Sequence, residues 1–434
     1  MATTEPQLAA PTVRQLVMLC IPAVVVGVLC ALSLWAVDEV SGVIEQGVWK
    51  ALPGALGIDP TSGWWIFAVL TVTGAAVGLV VWLVPGHAGP DSATTELVGP
   101  ILRIAAVPSL ALAAILGLAG GVSLGPENPI IAINISVLVT LVGLLWKAVP
   151  TQLVVLMAAS GTIGALFGTP VAAALLFTGI VAAAKGGGAL WDRLFLPLVS
   201  AGAGAITMTL LAHPSLIIPM PAYTKVNGWD LLAAIVIGVV ATALGLVGVY
   251  LFPIVHRLFH ALRNPLLMTL LGGAVLGLLG VLGGPITLFK GLSQMGQLVT
   301  DRADYSAGQL TVIVLVKLVA LLVAAGAGFR GGRVFPAVFI GTALGTLAVA
   351  LVPAIPLQVA VAAGVMGLAL VVTRDGWVAL FVGVAVTDNL LILPILCLAV
   401  LPAWLMVTKA PEMLIRPAPE LTPTSPRAAG GAGR

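Results

Sequence analysis

The stretch Gly117-Leu118-Ala119-Gly120-Gly121-Val122-Ser123-Leu124-Gly125-Pro126-Glu127-Asn128-Pro129 runs directly into the apolar segment Ile130 to Trp146. Proline lacks an N–H, and the first turn of a helix is where that loss matters least, so Pro129 marks a helix start and the glycines before it supply the bends. One carboxylate, Glu127, therefore stands where a helix begins inside an apolar chain. A helix N-terminus carries partial positive charge and unpaired N–H donors, and in a bilayer such a broken end is tolerated where it lines a site or cavity. The junction reads as an anion site. A carboxylate placed there can occupy the site when ionised and vacate it when protonated or displaced, so Glu127 is expected to be a gate. An acid within an apolar segment is expensive and functional by default. The plainer alternative is a structural ion pair with Arg103 or Arg333.

Composition sets the surroundings of this junction. The 434 residues are 60% apolar and 8% charged, with a mean hydropathy of +1.17, far from a soluble globular composition. At roughly 20 apolar residues per span, the length accommodates about ten to eighteen membrane helices with short loops and no large soluble domain. Leu16 to Ala36 follows a start containing Glu5, without a basic n-region or a short cleavable apolar core, and reads as a retained first helix. Cys20, Cys30 and Cys397 lie in apolar runs at no disulfide or metal-ligand spacing. A net charge of +3, dispersed along the chain, gives no nucleic-acid footprint.

Working outward, Trp64 to Val84 reads as a second span, broken by Pro85-Gly86-His87-Ala88-Gly89-Pro90. Asp38 to Asp59 reads as an interfacial connection. Ile101 to Leu118 leads into the opening stretch, and Leu153 to Thr178 is interrupted at Gly168-Thr169-Pro170. After a polar loop from Lys185 to Arg193, Leu194 to Ala212 closes a first half. The expected organisation is an N-terminal segment 1–15, a membrane half 16–212, a connection 213–230, a second half 231–415 and a disordered cytoplasmic tail 416–434. In the second half, Leu310 to Gly326 runs into Gly328-Phe329-Arg330-Gly331-Gly332-Arg333-Val334-Phe335-Pro336, and a helix again begins at a proline. Gly125 to Pro129 and Gly332 to Pro336 share the form G-x-x-x-P, and Gly161-Thr162-Ile163-Gly164 echoes Gly364-Val365-Met366-Gly367. Corresponding broken helices in two halves point to a repeat-built transporter with a midplane site.

At these residues the chain resembles the CLC family of chloride channels and proton-coupled chloride exchangers. Its G-[KR]-E-G-P, G-x-F-x-P and G-S-G-I-P motifs are similar to Gly125-Pro126-Glu127-Asn128-Pro129, Gly332-Arg333-Val334-Phe335-Pro336 and Gly86-His87-Ala88-Gly89-Pro90 here. The resemblance extends over roughly residues 16–414 and is strongest to a bacterial branch of ion-transport proteins. It implies an all-α polytopic membrane protein with a CLC-like inverted repeat of broken and tilted helices, each half of about eight or nine helices. It also implies a multi-pass homodimer of the cell inner membrane with one pore per subunit, whose partners are a small inorganic anion, protons, and membrane lipid. No cofactor or metal is implied. Carried over by position, the anion site comprises Gly86, His87, Gly125, Asn128, Arg333, Val334 and Phe335. The backbone N–H groups of Arg333 and Val334 are expected to face the anion, and Met413 to stand at the inner pore.

The departures bear on coupling. His87 stands where the family has an anion-gripping serine, and Met413 stands at or near the position of its inner tyrosine. The proton-coupled members' inner acid corresponds to Phe177-Thr178-Gly179-Ile180, which has no carboxylate. Pro126 removes one N–H from the outer anion position, and the Asn128 amide could replace it. The phenylalanine of the second motif stands one place late. The expectation is passive or weakly coupled anion movement, with proton-coupled exchange of chloride or fluoride as the alternative. Lys317 lies mid-span and must face protein or water, lining the pore or pairing with an acid. Arg374-Asp375 reads as a loop ion pair and Asp388-Asn389 as a helix cap. His213, His256 and His260 fall in or near connections and receive no role. An enzyme would need convergent catalytic groups, for which Ser123, Glu127 and His87 are the only available set, at no recognised spacing. A receptor-like protein would have no need of an acid at a broken helix start.

Overall fold

A computed structural model describes residues 13–146, 149–183, 189–212 and 216–416. The start of the N-terminal segment, Lys185, His213 and nearly all of the expected tail lie outside these residues. Among those described, the chain forms sixteen α-helices and no strand, eight helices preceding the connection that ends at Asn227 and eight following it. The first set is α1 (Val13–Gln46), α2 (Leu52–Leu56), α3 (Gly63–Leu83), α4 (Val107–Ala119), α5 (Glu127–Leu145), α6 (Thr151–Phe167), α7 (Pro170–Ala183) and α8 (Leu190–Ala212). The second is α9 (Gly228–His260), α10 (Pro265–Gly283), α11 (Leu292–Thr300), α12 (Ala307–Gly326), α13 (Val334–Leu351), α14 (Leu357–Thr373), α15 (Gly376–Ala385) and α16 (Leu393–Val407). Among the described residues, nine helical stretches are long and apolar enough to cross a bilayer, and five further apolar helices are shorter.

The two sets answer one another element by element. α6 starts after Pro150 and ends at Gly168 in the left-handed region, while α14 starts after Pro356 and ends at Arg374 in the same region. Both are followed at once by a short helix, α7 or α15. The long α1 packs on α6 and α8, and the long α9 packs on α14 and α16. Small residues let these backbones approach, as membrane packing requires. A Cβ at Gly164 would strike the carbonyl of Ala201, and one at Gly364 that of Gly341. The echo between 161–164 and 364–367 is therefore a helix-packing feature. Caps fix two further starts: Asn264 accepts from the N–H groups of Leu266 and Leu267 with Pro265 next to it, and Ser306 and Gln309 form a capping box.

Several sequence expectations shift. α1 does not stop at Ala36 but continues to Gln46, then through a wide turn, Gly47–Ala51, into α2, so most of the supposed interfacial connection is helix. α9 extends past Leu251 to His260, which places His256 and His260 on a helix. After Pro85-Gly86-His87-Ala88-Gly89-Pro90 no helix starts: residues 84–103 form turns, and regular structure resumes at a single 3-10 turn, Ile104–Ala106. Left-handed φ values at Gly86, His87, Ala88 and Gly89 coil that loop tightly. Arg330 locks it from the other half, donating Nε to Ala88 O and Nη2 to the carbonyls of Gly89 and His87.

Candidate functional site

The two G-x-x-x-P junctions meet at their glycines. Gly125 N–H donates to Gly332 O at 2.9 Å and Gly332 N–H to Gly125 O at 2.6 Å, the one isolated antiparallel bridge among the described residues. This clasp sets the first turns of α5 and α13 against each other. Glu127 is the first residue of α5 and is 1% exposed. Its Oε1 accepts from the backbone N–H of Phe335, in the first turn of α13, at 2.8 Å. The carboxylate thus lies at two helix N-termini, where negative charge is favoured. It sits in a slot that only glycine can provide, because a Cβ at Gly125 or at Gly332 would overlap Oε2.

Oε2 itself is buried with no hydrogen-bond partner among the described residues, and neither Arg103 nor Arg333 forms a direct ion pair with Glu127 among them. A half-satisfied buried carboxylate is costly as a structural device. It stands between two cavities. The larger, about 610 Å³, is lined by Glu96, Asn128, Arg333, Thr373, Arg374 and Met413 among others. A narrow apolar gap of about 20 Å³, bordered by Leu97, Leu176, Val334 and Glu127, leads from it. A second cavity of about 190 Å³ lies beyond, lined by Asp38, Pro126, Leu166, Lys290 and Phe335. The Phe335 ring stacks on Phe167 with centroids 6.0 Å apart.

Of the sequence-derived site residues, Gly125, Glu127, Asn128, Arg333, Val334, Phe335 and Met413 come together around this path. Arg333 is buried beside the larger cavity; Nη2 donates to Thr95 O at 3.1 Å and Nη1 has no partner among the described residues. The Asn128 amide is directed to the carbonyls of Thr95 and Glu96, both at 3.3 Å, instead of toward the missing Pro126 donor. Gly86 and His87 do not line either cavity; His87 Nδ1 lies 2.8 Å from Val81 O. Sequence reasoning passed over Glu96, Leu97 and Val98, which line the larger cavity because the loop after Pro90 stays unwound. Lys290, whose Nζ is 3.1 Å from Asp38 at the smaller cavity, was likewise missed.

Among the described residues Lys317 pairs with no acid, and it lines neither of the two cavities. Fully buried, its ammonium donates to the carbonyls of Thr287, Leu288 and Phe289 at 2.9, 3.1 and 2.6 Å, which uses all three of its protons. It organises the turn before α11. Arg374 donates to the carbonyls of Val407, Ala410 and Pro411, and Asp375 caps α15, so these neighbours do not form an ion pair with each other. Asn389 caps the turn at Leu390–Ile392.

Paired broken helices clasped around a buried carboxylate define a repeat-built membrane transporter of the kind the sequence implied. The family model described as voltage gated chloride channel matches residues 73–408, and the chain belongs to this CLC family. It is 45% identical over 405 residues to the "Putative ion-transport protein YfeO" of Escherichia fergusonii and of Escherichia coli, covering 93% of this chain and 96% of the relative. Its fold is similar to that of a slow cyanobacterial Cl−/H+ antiporter, with a TM-score of 0.76 and 18% identity over 91% of this chain and 95% of the other. It is also similar to a CLC-type fluoride/proton antiporter, with a TM-score of 0.70 and 18% identity over 92% and 98%.

Proposed function

We propose that this protein moves a small inorganic anion, chloride or a close relative, across the cell inner membrane as a homodimer, each subunit divided into halves 16–212 and 231–415 around its own path. The observation that carries the reading is the Glu127 carboxylate, held by the Phe335 N–H in the glycine slot between two cavities. Ionised, it fills the place where two helix starts would hold a transported anion. Protonated or displaced, it vacates that place and the anion passes. The unpartnered Nη1 of Arg333 at the larger cavity favours anions over cations there.

Movement is passive or weakly coupled. At the position of the exchangers' inner acid, Phe177 is 1% exposed within an apolar cluster. The adjacent Thr178 hydroxyl donates to Ala174 O in its own helix at 2.6 Å. Met413 at the inner mouth offers no hydroxyl. One observation favours the alternative, proton-coupled exchange of chloride or fluoride: Glu96, an exposed carboxylate on the wall of the larger cavity, is placed to receive protons on that side. The test is the reversal potential of purified protein in liposomes under opposed anion and proton gradients, with several anions. A potential set by the anion gradient alone supports passive movement. One that tracks the pH gradient, and ceases to do so in Glu96→Gln, establishes coupling through that residue. Absence of anion flux in both parent and Glu127→Ala would overturn the reading altogether.

A further inference from the structure

Outside the transport path, Asp91, His256 and His260 bring three ligand atoms within 4.8 Å of one another. His256 and His260 lie one turn apart near the end of α9, with rings stacked at a centroid separation of 3.6 Å. Asp91 follows the tight loop at residues 86–90. Its Oδ1 is committed to its own turn, accepting from Ala93 N, Thr94 N and the Thr94 hydroxyl. Oδ2 faces both rings, 3.2 Å from His260 Nε2 and 3.9 Å from His256 Nε2.

Hydrogen bonds among the described residues leave one ring nitrogen of this cluster without a partner. His260 Nδ1 lies 3.0 Å from His256 O, so that nitrogen must carry the ring proton. In the neutral ring, Nε2 then turns a lone pair toward Asp91 Oδ2. His256 Nε2 is buried and has no hydrogen-bond partner among the described residues. A divalent ion would engage all three atoms once the two rings, stacked with an interplanar angle of 23°, splay so that their lone pairs converge on it. With metal–ligand bonds of about 2.0–2.2 Å, tetrahedral ligand atoms stand about 3.3–3.6 Å apart, between the two observed separations of 3.2 and 3.9 Å. The supporting contacts are those a metal site uses: a ligand histidine donating its other N–H to a carbonyl, and a ligand carboxylate fixed through its second oxygen.

We propose that Asp91, His256 and His260 form a binding site for a divalent late-transition metal of the zinc class, with a fourth position open to water. The signal in the sequence is His256-x-x-x-His260, a spacing that places two imidazoles on one helix face. An ion there pins the end of α9 to the segment 91–95. That segment in turn holds the second junction, because Ser92 bonds Phe329 O and Gly331 N, and Thr95 O accepts from Arg333. Nitrogen ligands select against Mg2+ and Ca2+.

The experiment uses full-length protein without a histidine tag, stripped with chelator and titrated with Zn2+ by calorimetry in detergent, with Mg2+ as control. One Zn2+ per subunit is expected. Affinity should fall at least tenfold in His256→Gln and in His260→Gln, and a Zn2+-induced rise in the thermal unfolding midpoint should appear in the parent alone. Co2+ bound to the unmodified protein should show the visible absorption of a low-coordinate N/O site, a readout that does not depend on any variant folding. Stoichiometric Zn2+ binding that survives the double substitution, or no Zn2+ binding and no Co2+ spectrum in the parent, would overturn the proposal.

Discussion

Gly332→Ala is the sharpest perturbation of the gate, because the added methyl would meet the carboxylate itself. The atoms nearest a Cβ at Gly332 are Oε2, Cδ and Cβ of Glu127; the first two swing away when the side chain rotates, and the 2.9 Å contact with Cβ needs only a small widening of the clasp. The fold is therefore expected to persist while the carboxylate leaves its slot. What it gives up is the 2.8 Å bond from Phe335 N–H and its place at two helix starts. A hydrogen bond to a charged group is worth about 1.5–3 kcal/mol, and each helix end adds roughly 0.3–1 kcal/mol. The combined loss of about 2–5 kcal/mol, at about 1.4 kcal/mol per decade, lowers occupancy of the closed position roughly 30- to 3,000-fold. Anion efflux from proteoliposomes at neutral pH should rise toward that of Glu127→Ala and lose most of its response to acid. If Gly332→Ala folded normally and kept the parent's flux and pH response while Glu127→Ala differed from the parent, the glycine slot would not be what holds the gate shut.

Further outcomes follow from the same geometry. Lowering the pH from 7 to 4 should raise flux in the parent, since a protonated Glu127 no longer competes as an anion, and should leave Glu127→Gln flat; an identical response in both would remove Glu127 from the gate. Arg333→Gln should weaken anion affinity by roughly 1–2 kcal/mol, the order for one partly screened charge a few ångströms away, with the effect shrinking at high ionic strength. Saturation curves for chloride flux measure this, and Arg333→Lys should recover most of the loss. Lys317→Met should lower stability by about 2–5 kcal/mol by stranding three carbonyls, seen as a lower midpoint of thermal unfolding in detergent; an unchanged midpoint would mean that the turn at Thr287 to Phe289 holds itself.

The sequence by itself determined the membrane class, the breaks marked by proline and glycine, and the two junctions that matter, while the ends of α1 and α9 lay beyond where the apolar runs stop. These are local or compositional properties: a helix start is written in Pro129 and Pro336, a span in the length of an apolar run, and the cost of an acid in lipid singles out Glu127 from its neighbours. Even the meeting of Glu127 with Phe335 was legible, because equal G-x-x-x-P spacing in two halves implies one shared site. Only the tertiary structure decided which donors each side chain uses. Lys317 looked like a pore or ion-pair residue because sequence cannot show that three carbonyls from residues 287–289 converge on it. His87 looked like an anion ligand because its place in the motif was carried over from the family, whereas four consecutive left-handed residues and the Arg330 clamp turn its ring toward Val81 and hand the cavity wall to Glu96, Leu97 and Val98. His256 and His260 acquired a partner through Asp91, more than 160 positions away in sequence. Local rules govern where a helix begins; long-range packing governs what a polar side chain finally touches, and in a chain with so few charged groups each such contact is set by a different part of the fold.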